Sequence, residues 1–311
     1  MRCRPGGISW LAAGKRSVRE FRVDLLTDRA AALTYYGVLA IFPGLLVVVS
    51  LLGIIGRQET QPLINLLATA VPGAVRKTLL SAVARLQRDH AAAGVLAIAG
   101  LAIAFWSASG YVAAFMRASN AIYDVPEGRP IWKTLPIRFG VTVAAMVLLV
   151  VSAVLVVITG GIAQRVGQVL GVGSAAVTVW DIAKWPVLLI LVSLMLGILY
   201  WASPNAKQDF RWVSPGGMVA VVLWLVASGL FTSYVANFGH YNRIYGSIAA
   251  VIIFLVWMWI SNIALLLGAE FNAELERGRA MAAGAAAGQE PFVEPRDTRK
   301  LRKKAGSKRQ A

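Results

Sequence analysis

Charged residues, cysteine and histidine are scarce in this chain, and each scarcity excludes a class of protein. Charged residues make up 15% of the 311 residues, whereas a soluble domain usually carries about 25%. A single cysteine, Cys3, excludes an intramolecular disulfide framework and a cysteine-based metal cluster. The two histidines, His90 and His240, lack the paired spacing of a zinc site, and no Gly-x-x-x-x-Gly-Lys-Ser/Thr loop occurs. We therefore predict no cofactor, no metal and no ATP bound to this chain.

Long apolar stretches are what the chain has instead. Hydrophobic residues make up 58% of the sequence, and a helix needs about 20 mostly apolar residues to cross the roughly 30 Å hydrocarbon core of a bilayer. These stretches predict an all-α, polytopic integral membrane protein with six transmembrane helices. The predicted spans are Ala30–Ile55, Ala92–Phe115, Ile137–Ile162, Ile182–Ala202, Pro215–Asn237 and Ser247–Ala269.

The distribution of Lys and Arg predicts the orientation of these helices. Both residues are more numerous in the N-terminal segment, the second and fourth loops and the C-terminal tail than in the other loops. Basic residues concentrate on the cytoplasmic side, so both termini are predicted to be cytoplasmic, in a bacterial inner membrane. Arg2 and Arg4 precede polar sequence rather than an apolar run, which argues against a cleavable signal peptide.

The predicted organisation is a membrane domain with two basic ends. Residues 1–29 form a cytoplasmic N-terminal segment, residues 30–272 the membrane domain with an external helical loop at 56–91, and residues 273–311 a disordered basic tail. Within the first segment, residues 15–29 predict an amphipathic helix that rests either on the membrane surface or on the bundle. The basic residues of the tail either contact anionic lipids or form a solvated anchor on the cytoplasmic side; they are Arg299, Lys300, Arg302, Lys303, Lys304, Lys308 and Arg309.

Several stretches resemble the signatures of a known family. They are RAAALTYYGVLAIFPGLL at Arg29–Leu46, FWSASGYVAAFMRASNAIYDVPEGRP at Phe105–Pro130, and the segments Tyr200–Phe238 and Tyr241–Leu275. In this order they resemble the YihY/virulence factor BrkB family over roughly residues 20–275. The resemblance implies a bacterial inner-membrane protein with six helices. It also brings an older family label, ribonuclease BN.

The residues argue against a ribonuclease. Metal-dependent hydrolysis of RNA needs clustered ligands that activate water and hold the phosphate. The acidic residues are spread thinly among basic ones, and both histidines fall in predicted external loops. We therefore predict no catalytic residues and no enzyme activity. The basic tail would touch nucleic acid only without sequence specificity.

Polar residues near the predicted cytoplasmic ends of the spans form a candidate cavity or gate. Ionisable residues in membrane helices are costly and mark functional sites by default, although hydroxyl groups also join helices for purely structural reasons. Arg117 is predicted to approach Glu270 if the two helix ends meet. The candidate residues are Tyr35, Tyr36, Ser107, Ser109, Tyr111, Arg117, Asn120 and Glu270.

A second candidate site is the predicted outer loop between the last two spans. It packs polar groups into a short turn, and it is interpreted either as a recognition loop or as a rigid hairpin that caps helix ends. Its candidate residues are Asn237, Tyr241, Asn242 and Tyr245.

Two functions remain open from the sequence. The first is a transporter or flippase-like protein that handles a lipid or an envelope-related solute, with membrane lipids as its surroundings. Polar residues and the proline at position 43 in the first span favour it. The second is a noncatalytic scaffold of an envelope complex. The sequence does not predict the substrate, the protein partners or the oligomeric state.

Overall fold

The computed structural model describes residues 10–55, 90–157, 174–237, 242–286 and 290–302. Within these ranges the chain is helical and contains no strands, and one isolated backbone bridge joins Ala206 to Pro295. The all-α class is thus confirmed for these residues. Numbered in chain order, the described helices are α1 (Trp10–Val23), α2 (Leu26–Ile55), α3 (His90–Ile122), α4 (Ile131–Val157), α5 (Ser174–Ala202), α6 (Pro215–Asn237) and α7 (Asn242–Ala282).

Five of these helices are long and apolar enough to cross a membrane, so the chain is a multi-pass membrane protein. α7 has 41 residues and is about 60 Å long, which exceeds the hydrocarbon core. The first predicted span lies in α2, where part of the side chains fall outside the described residues, so a sixth span stays a prediction. The five membrane-crossing segments are Ile98–Ile122, Ile131–Val156, Thr178–Ala202, Pro215–Val235 and Val251–Ala282.

Two details concern the first predicted span and the loop that follows it. Pro43, the proline of the first predicted span, lies inside the continuous helix α2 and does not break it. Membrane helices tolerate proline because neighbouring groups satisfy the carbonyl that it frees. The predicted external loop at 56–91 lies outside the described residues except for the start of α3 at His90.

The chain divides into two compact units, and the helices are shared between them. One unit comprises Met1–Ala30, Phe115–Ser228 and Ile260–Ala311, and the other comprises Ala31–Ala114 and Gly229–Trp259. Within the first unit α4 packs against α5.

The N-terminal amphipathic helix lies further towards the N-terminus than predicted. α1 spans Trp10–Val23 rather than residues 15–29, because the chain turns at Leu25, whose φ is 51°. Ala13 packs with Phe271 and Leu275 of α7, so this helix rests on the bundle. Its opposite face remains exposed and carries Leu11, Lys15, Val18 and Arg22.

α6 begins in close contact with α7, in an arrangement built from small residues. Ser214 caps α6, since its Oγ accepts a hydrogen bond from the Gly217 N–H at 3.0 Å. Oδ1 of Asn272 on α7 accepts the Gly216 N–H at 2.8 Å. A Cβ built on Gly268 would lie 2.4 Å from the carbonyl oxygen of Gly216. Only glycine allows the two backbones to approach this closely.

The C-terminal tail is ordered where disorder was predicted. α7 continues to Ala282, and residues 290–302 pack on two loops of the first unit. The buried Asn205 side chain donates a hydrogen bond to the Asp297 carbonyl at 2.9 Å and accepts one from the Asp297 N–H at 3.1 Å. The ring of Phe292 stacks on Tyr123. The prediction of disorder was therefore wrong for these residues, because loop contacts order the segment without any helical periodicity.

Candidate functional site

An acid-lined cavity of about 520 Å³ lies in the first unit, between α1, the C-terminal end of α3 and α7. Two apolar side chains, Val23 and Ile122, form part of its wall. The remaining lining residues are ionisable: Arg19, Glu20, Asp24, Asp124, Glu270, Arg277 and Glu290.

The end of α3 places Asp124 at this cavity. The Val125 N–H donates to the Asn120 carbonyl at 2.9 Å, and the Asp124 N–H donates to the Ala121 carbonyl at 2.9 Å. This pair of bonds is a Schellman motif, which needs one residue in the left-handed region. Asp124 occupies that position with φ 52°, and aspartate tolerates this conformation better than most residues do. Its carboxylate accepts a hydrogen bond from Arg277 at 2.8 Å.

The end of α1 places Asp24 at the same cavity. The Asp24 N–H donates to the Glu20 carbonyl at 2.8 Å, and the left-handed Leu25 then turns the chain into α2. The Asp24 carbonyl accepts a hydrogen bond from Arg29 Nε at 2.7 Å. Two separate helix ends therefore present an aspartate to one space.

α7 contributes two glutamates one turn apart, and their surroundings differ. Glu270 and Glu274 lie on one helical face, and each is 1% exposed. Glu274 receives a hydrogen bond from Arg16 Nε and lies 3.3 Å from Arg277 Nε. In contrast, Glu270 faces Asp24, and its buried Oε2 has no hydrogen-bond donor among the described residues. On this face, the Glu274 carboxylate is paired with arginines, whereas one oxygen of the Glu270 carboxyl group has no hydrogen-bond donor among the described residues.

Burial and crowding with other acids shift the pKa values of both aspartates. Burial, followed by the neighbouring Asp124 carboxyl, raises the pKa of Asp24 to about 6. Burial and the Glu290 carboxylate likewise raise the pKa of Asp124. Both shifts have the sign expected for carboxyl groups that share a poorly hydrated site.

The raised pKa of Asp24 predicts a pH-dependent stability. Asp24 faces Asp124, Glu270, Glu20 and Arg29, and its pKa in an unfolded chain is about 3.9. The folded state holds the proton more tightly, so the contribution is fully present below about pH 4 and is lost as pH rises through about 6. We expect Asp24→Asn to be more stable than the wild type at pH 7 and to lose that advantage towards pH 4. Thermal unfolding in detergent across this range measures the difference. A difference that does not change with pH would contradict the prediction.

The predicted tyrosines and serines lie in the second unit and do not line this cavity. Tyr35 is 61% exposed, and its ring contacts Tyr36 edge-on at 5.4 Å. The Tyr36 ring packs over Gly110, where an added Cβ would lie 3.0 Å from Cδ1. Ser109 is buried, and its Oγ donates to the carbonyl of Trp106 at 2.7 Å. Ser107 is half-buried on the same helix, and Tyr111 packs near Gly37.

The structure brings only Glu270 of the predicted gate to the cavity. The Arg117 side chain is exposed and is not among the residues that line the cavity, whereas the buried Glu270 carboxyl faces Asp24. Asn120 joins two loops instead, since it donates to Glu127 at 2.9 Å and accepts the Asn205 N–H at 2.7 Å.

The predicted outer loop falls largely outside the described residues. Tyr241 is not described, and the same holds for the side chains of Asn237, Asn242 and Tyr245. Their role as a recognition loop or a hairpin cap stays a prediction.

Sequence reasoning did not assign Asp24, Asp124, Arg277 or Glu290 to a site. These residues are far apart in the chain, and each lies at a helix end or beyond one, where charged residues are common for structural reasons. The available signal was the presence of acids near the ends of spans in a strongly basic protein. The sequence does not show that their helix ends meet.

Comparisons with known proteins agree with this membrane architecture. A model of the family described as "Virulence factor BrkB" matches residues 17–291. The chain is 28% identical over 250 residues to the "Putative ribonuclease-like protein YfkH" of Bacillus subtilis (strain 168), covering 80% of this chain and 90% of that protein. It is 29% identical over 291 residues to a UPF0761 membrane protein of Alkalilimnicola ehrlichii, covering 86% of this chain and 60% of the relative.

A second UPF0761 membrane protein, RSc1559 of Ralstonia nicotianae, is 30% identical over 271 residues, covering 85% of this chain and 58% of the relative. The chain thus spans about three fifths of the length of these two UPF0761 proteins. No solved structure matches it. Because the family model covers nearly all of the helical region described above, the chain belongs to the virulence factor BrkB family.

Proposed function

We propose that this protein is a transporter or flippase-like protein of the bacterial inner membrane that handles a lipid or an envelope-related solute. We further propose that α2 forms a sixth span and that both termini lie in the cytoplasm, as the distribution of Lys and Arg predicts. In this orientation the acid-lined cavity opens at the cytoplasmic end of the bundle. The basic tail then lies near the anionic lipids of the inner leaflet.

The observation that supports this function is the partly satisfied Glu270 carboxyl group at the cavity wall. Ionisable residues buried in membrane helices are costly, and they mark the pathways of substrates, ions or protons. A scaffold that only organises other proteins does not need a buried carboxyl group at the wall of a cavity, and burying such a group is energetically costly. The cavity volume of about 520 Å³ falls within the range of roughly 300–1,000 Å³ found for small-molecule sites.

An enzyme is less consistent with the described residues. Among them, no group of three or more His, Cys, Asp or Glu side chains is arranged to hold a metal ion. The two-metal and zinc mechanisms of hydrolysis both require such a group. The ribonuclease-like name is the name of a relative, and our proposal does not include ribonuclease activity.

The test is native mass spectrometry of the protein extracted gently from its own membrane, followed by stepwise removal of lipid. We expect one lipid or solute to remain bound after bulk lipid is removed and to be lost from Glu270→Gln. The matched control is Glu294→Gln, which makes the same change at an exposed carboxylate paired with Lys207. The species identified is then placed on one side of reconstituted vesicles, and its appearance on the other side is followed.

Three results would contradict the proposal. A protein free of any specific ligand would remove its basis, and so would a bound species that never crosses the bilayer. A stoichiometric protein partner in place of a ligand would favour the scaffold alternative.

A further inference from the structure

We propose that the acid-lined cavity recognises a protonated amine, carried either by a lipid headgroup or by a free solute. The proposal rests on the function proposed above and names the chemical class of its ligand. Its basis is the arrangement of charged groups around Glu270 and Asp24.

The lining of the cavity is acidic although the chain as a whole is basic. Five carboxyl groups and two guanidinium groups line it, whereas the formal net charge of the chain is +16. No lysine lies among the described lining residues. In a protein with so many basic residues, an excess of acids around one space favours a cationic ligand over an anionic one.

The two arginines of the lining are already engaged. Arg277 donates to Asp124 at 2.8 Å, and its guanidinium lies 4.6 Å from the centre of the Phe292 ring. Arg19 pairs with Glu20 at 2.9 Å. These contacts satisfy two of the carboxyl groups and leave Asp24 and Glu270 facing each other.

The Asp24 and Glu270 side chains already share a hydrogen bond, and a protonated amine supplies the donor that Glu270 Oε2 lacks among the described residues. An ammonium group has three N–H donors and no acceptor, so it can donate to Glu270 Oε2 and to Asp24 at the same time. Charge-assisted bonds of this kind are about twice as strong as neutral ones. A metal ion fits less well, since no group of three or more His, Cys, Asp or Glu side chains within the described ranges is arranged to hold one.

The cavity has room for more than the amine. Its volume of about 520 Å³ is far larger than an ammonium group, and Val23 and Ile122 add apolar wall beside the acids. A headgroup with its linker, or a small organic amine, matches this combination of a charged end and an apolar side.

The test uses the full-length protein in phosphatidylglycerol nanodiscs at neutral pH. One arm adds phosphatidylethanolamine or its N-acetylated derivative, in which an uncharged amide with a small acetyl group replaces the ammonium group. The other arm adds glycerophosphoethanolamine or its N-acetylated derivative, which tests a soluble source of the amine. Native mass spectrometry measures the bound fraction. We expect the charged compound to be preferred at least about tenfold, the effect of one charge-assisted hydrogen bond.

Two cavity variants and one control variant test whether this preference arises in the cavity. Glu290→Lys adds a cation at an exposed lining position, so folding is not at risk, and we expect it to abolish the preference for the amine. Glu294→Lys makes the same change at an exposed residue outside the cavity and should keep the preference. Glu270→Gln should also lose it. Preference in the lipid arm alone identifies a lipid ligand, and preference in the soluble arm alone identifies a solute.

Equal binding of the charged and the acetylated compounds in both arms would overturn the proposal. A preference that survives Glu290→Lys would overturn it as well. Failure of the proposed function looks different: the protein would then hold the amine without moving it across the bilayer. Transport of a species that has no amine would instead contradict the amine proposal and leave the transport function standing.

Discussion

Gly268→Ala will separate α7 from α6 and lower the stability of the protein by about 3 kcal/mol, at the upper end of the cost of overpacking. The added methyl group would lie 2.4 Å from the Gly216 carbonyl oxygen and 2.7 Å from both Ala220 Cβ and Tyr200 Oη. Two of these neighbours belong to α6, and Tyr200 is held by its hydrogen bond to the Leu265 carbonyl at 2.7 Å. No small rotation of a side chain relieves the contact, so the helices themselves must move apart.

Thermal unfolding in detergent measures this effect, and we expect a decrease on the order of 10 °C in the unfolding temperature. Gly140→Ala is the matched control, because nothing lies within 4 Å of the Cβ position there. Similar decreases for both variants would show that the contact between α6 and α7 is not the cause. Glu270 lies two residues beyond Gly268, so Gly268→Ala should also weaken ligand retention in the cavity.

Arg129→Met will destabilise the loops that hold the C-terminal segment. Arg129 is 2% exposed and binds both carboxylate oxygens of Glu127, from Nε at 2.8 Å and from Nη2 at 2.7 Å. Its Nη2 also donates to the Ser203 carbonyl at 2.8 Å. Removing the guanidinium leaves the buried Ser203 carbonyl without this donor and the Glu127 carboxylate, which is 28% exposed, without its ion-pair partner, a loss of about 1–3 kcal/mol. Lysine does not present the same planar fork of donors, so Arg129→Lys should recover little of the loss.

Limited proteolysis and thermal unfolding together test this prediction. Ser203 lies two residues before Asn205, which binds Asp297 of the C-terminal segment. We therefore expect cleavage within residues 290–302 to become faster in Arg129→Met. The control is Arg299→Met, which changes an exposed arginine of the same segment. A cleavage rate equal to that of the wild type would show that the segment is held independently of Arg129.

Glu127 adds a pH dependence to this loop. Burial alone would raise its pKa, but hydrogen bonds from Arg129 and Asn120 lower it below the usual value. The stabilisation that these bonds provide is present above the unfolded pKa and is lost as pH falls through the folded pKa. Its sign is opposite to that of Asp24.

Only part of the candidate site could be predicted from the sequence. Glu270 was predicted because an ionisable residue at the end of an apolar helix is conspicuous. Asp24 and Asp124 were not predicted as a site, because each follows a helix end where a polar residue is ordinary. Their role depends on two left-handed turns, at Leu25 and at Asp124 itself. Neither residue is a glycine, so the usual sequence signal for such a turn is absent.

The C-terminal segment illustrates the same limit. Its composition resembles that of a solvated tail, and it lacks helical periodicity. It is ordered by a hydrogen bond from the Asn205 side chain to the Asp297 carbonyl, by a salt bridge between Lys133 and Asp297 at 2.7 Å, and by the close approach of Gly128. Each contact joins residues far apart in the chain, and no local pattern records such a pairing.

The sequence by itself determined that this protein spans a membrane, that it is helical and which family it belongs to. These follow from the length and hydrophobicity of the spans and from contiguous motifs, because the hydrocarbon core forces each span to satisfy its own backbone hydrogen bonds. Only the tertiary structure decided which charged groups meet. Pairing among Asp24, Asp124, Glu270 and Arg277 depends on where helix ends lie in space. For α1 and α7, that placement includes the packing of Ala13 against Phe271 and Leu275.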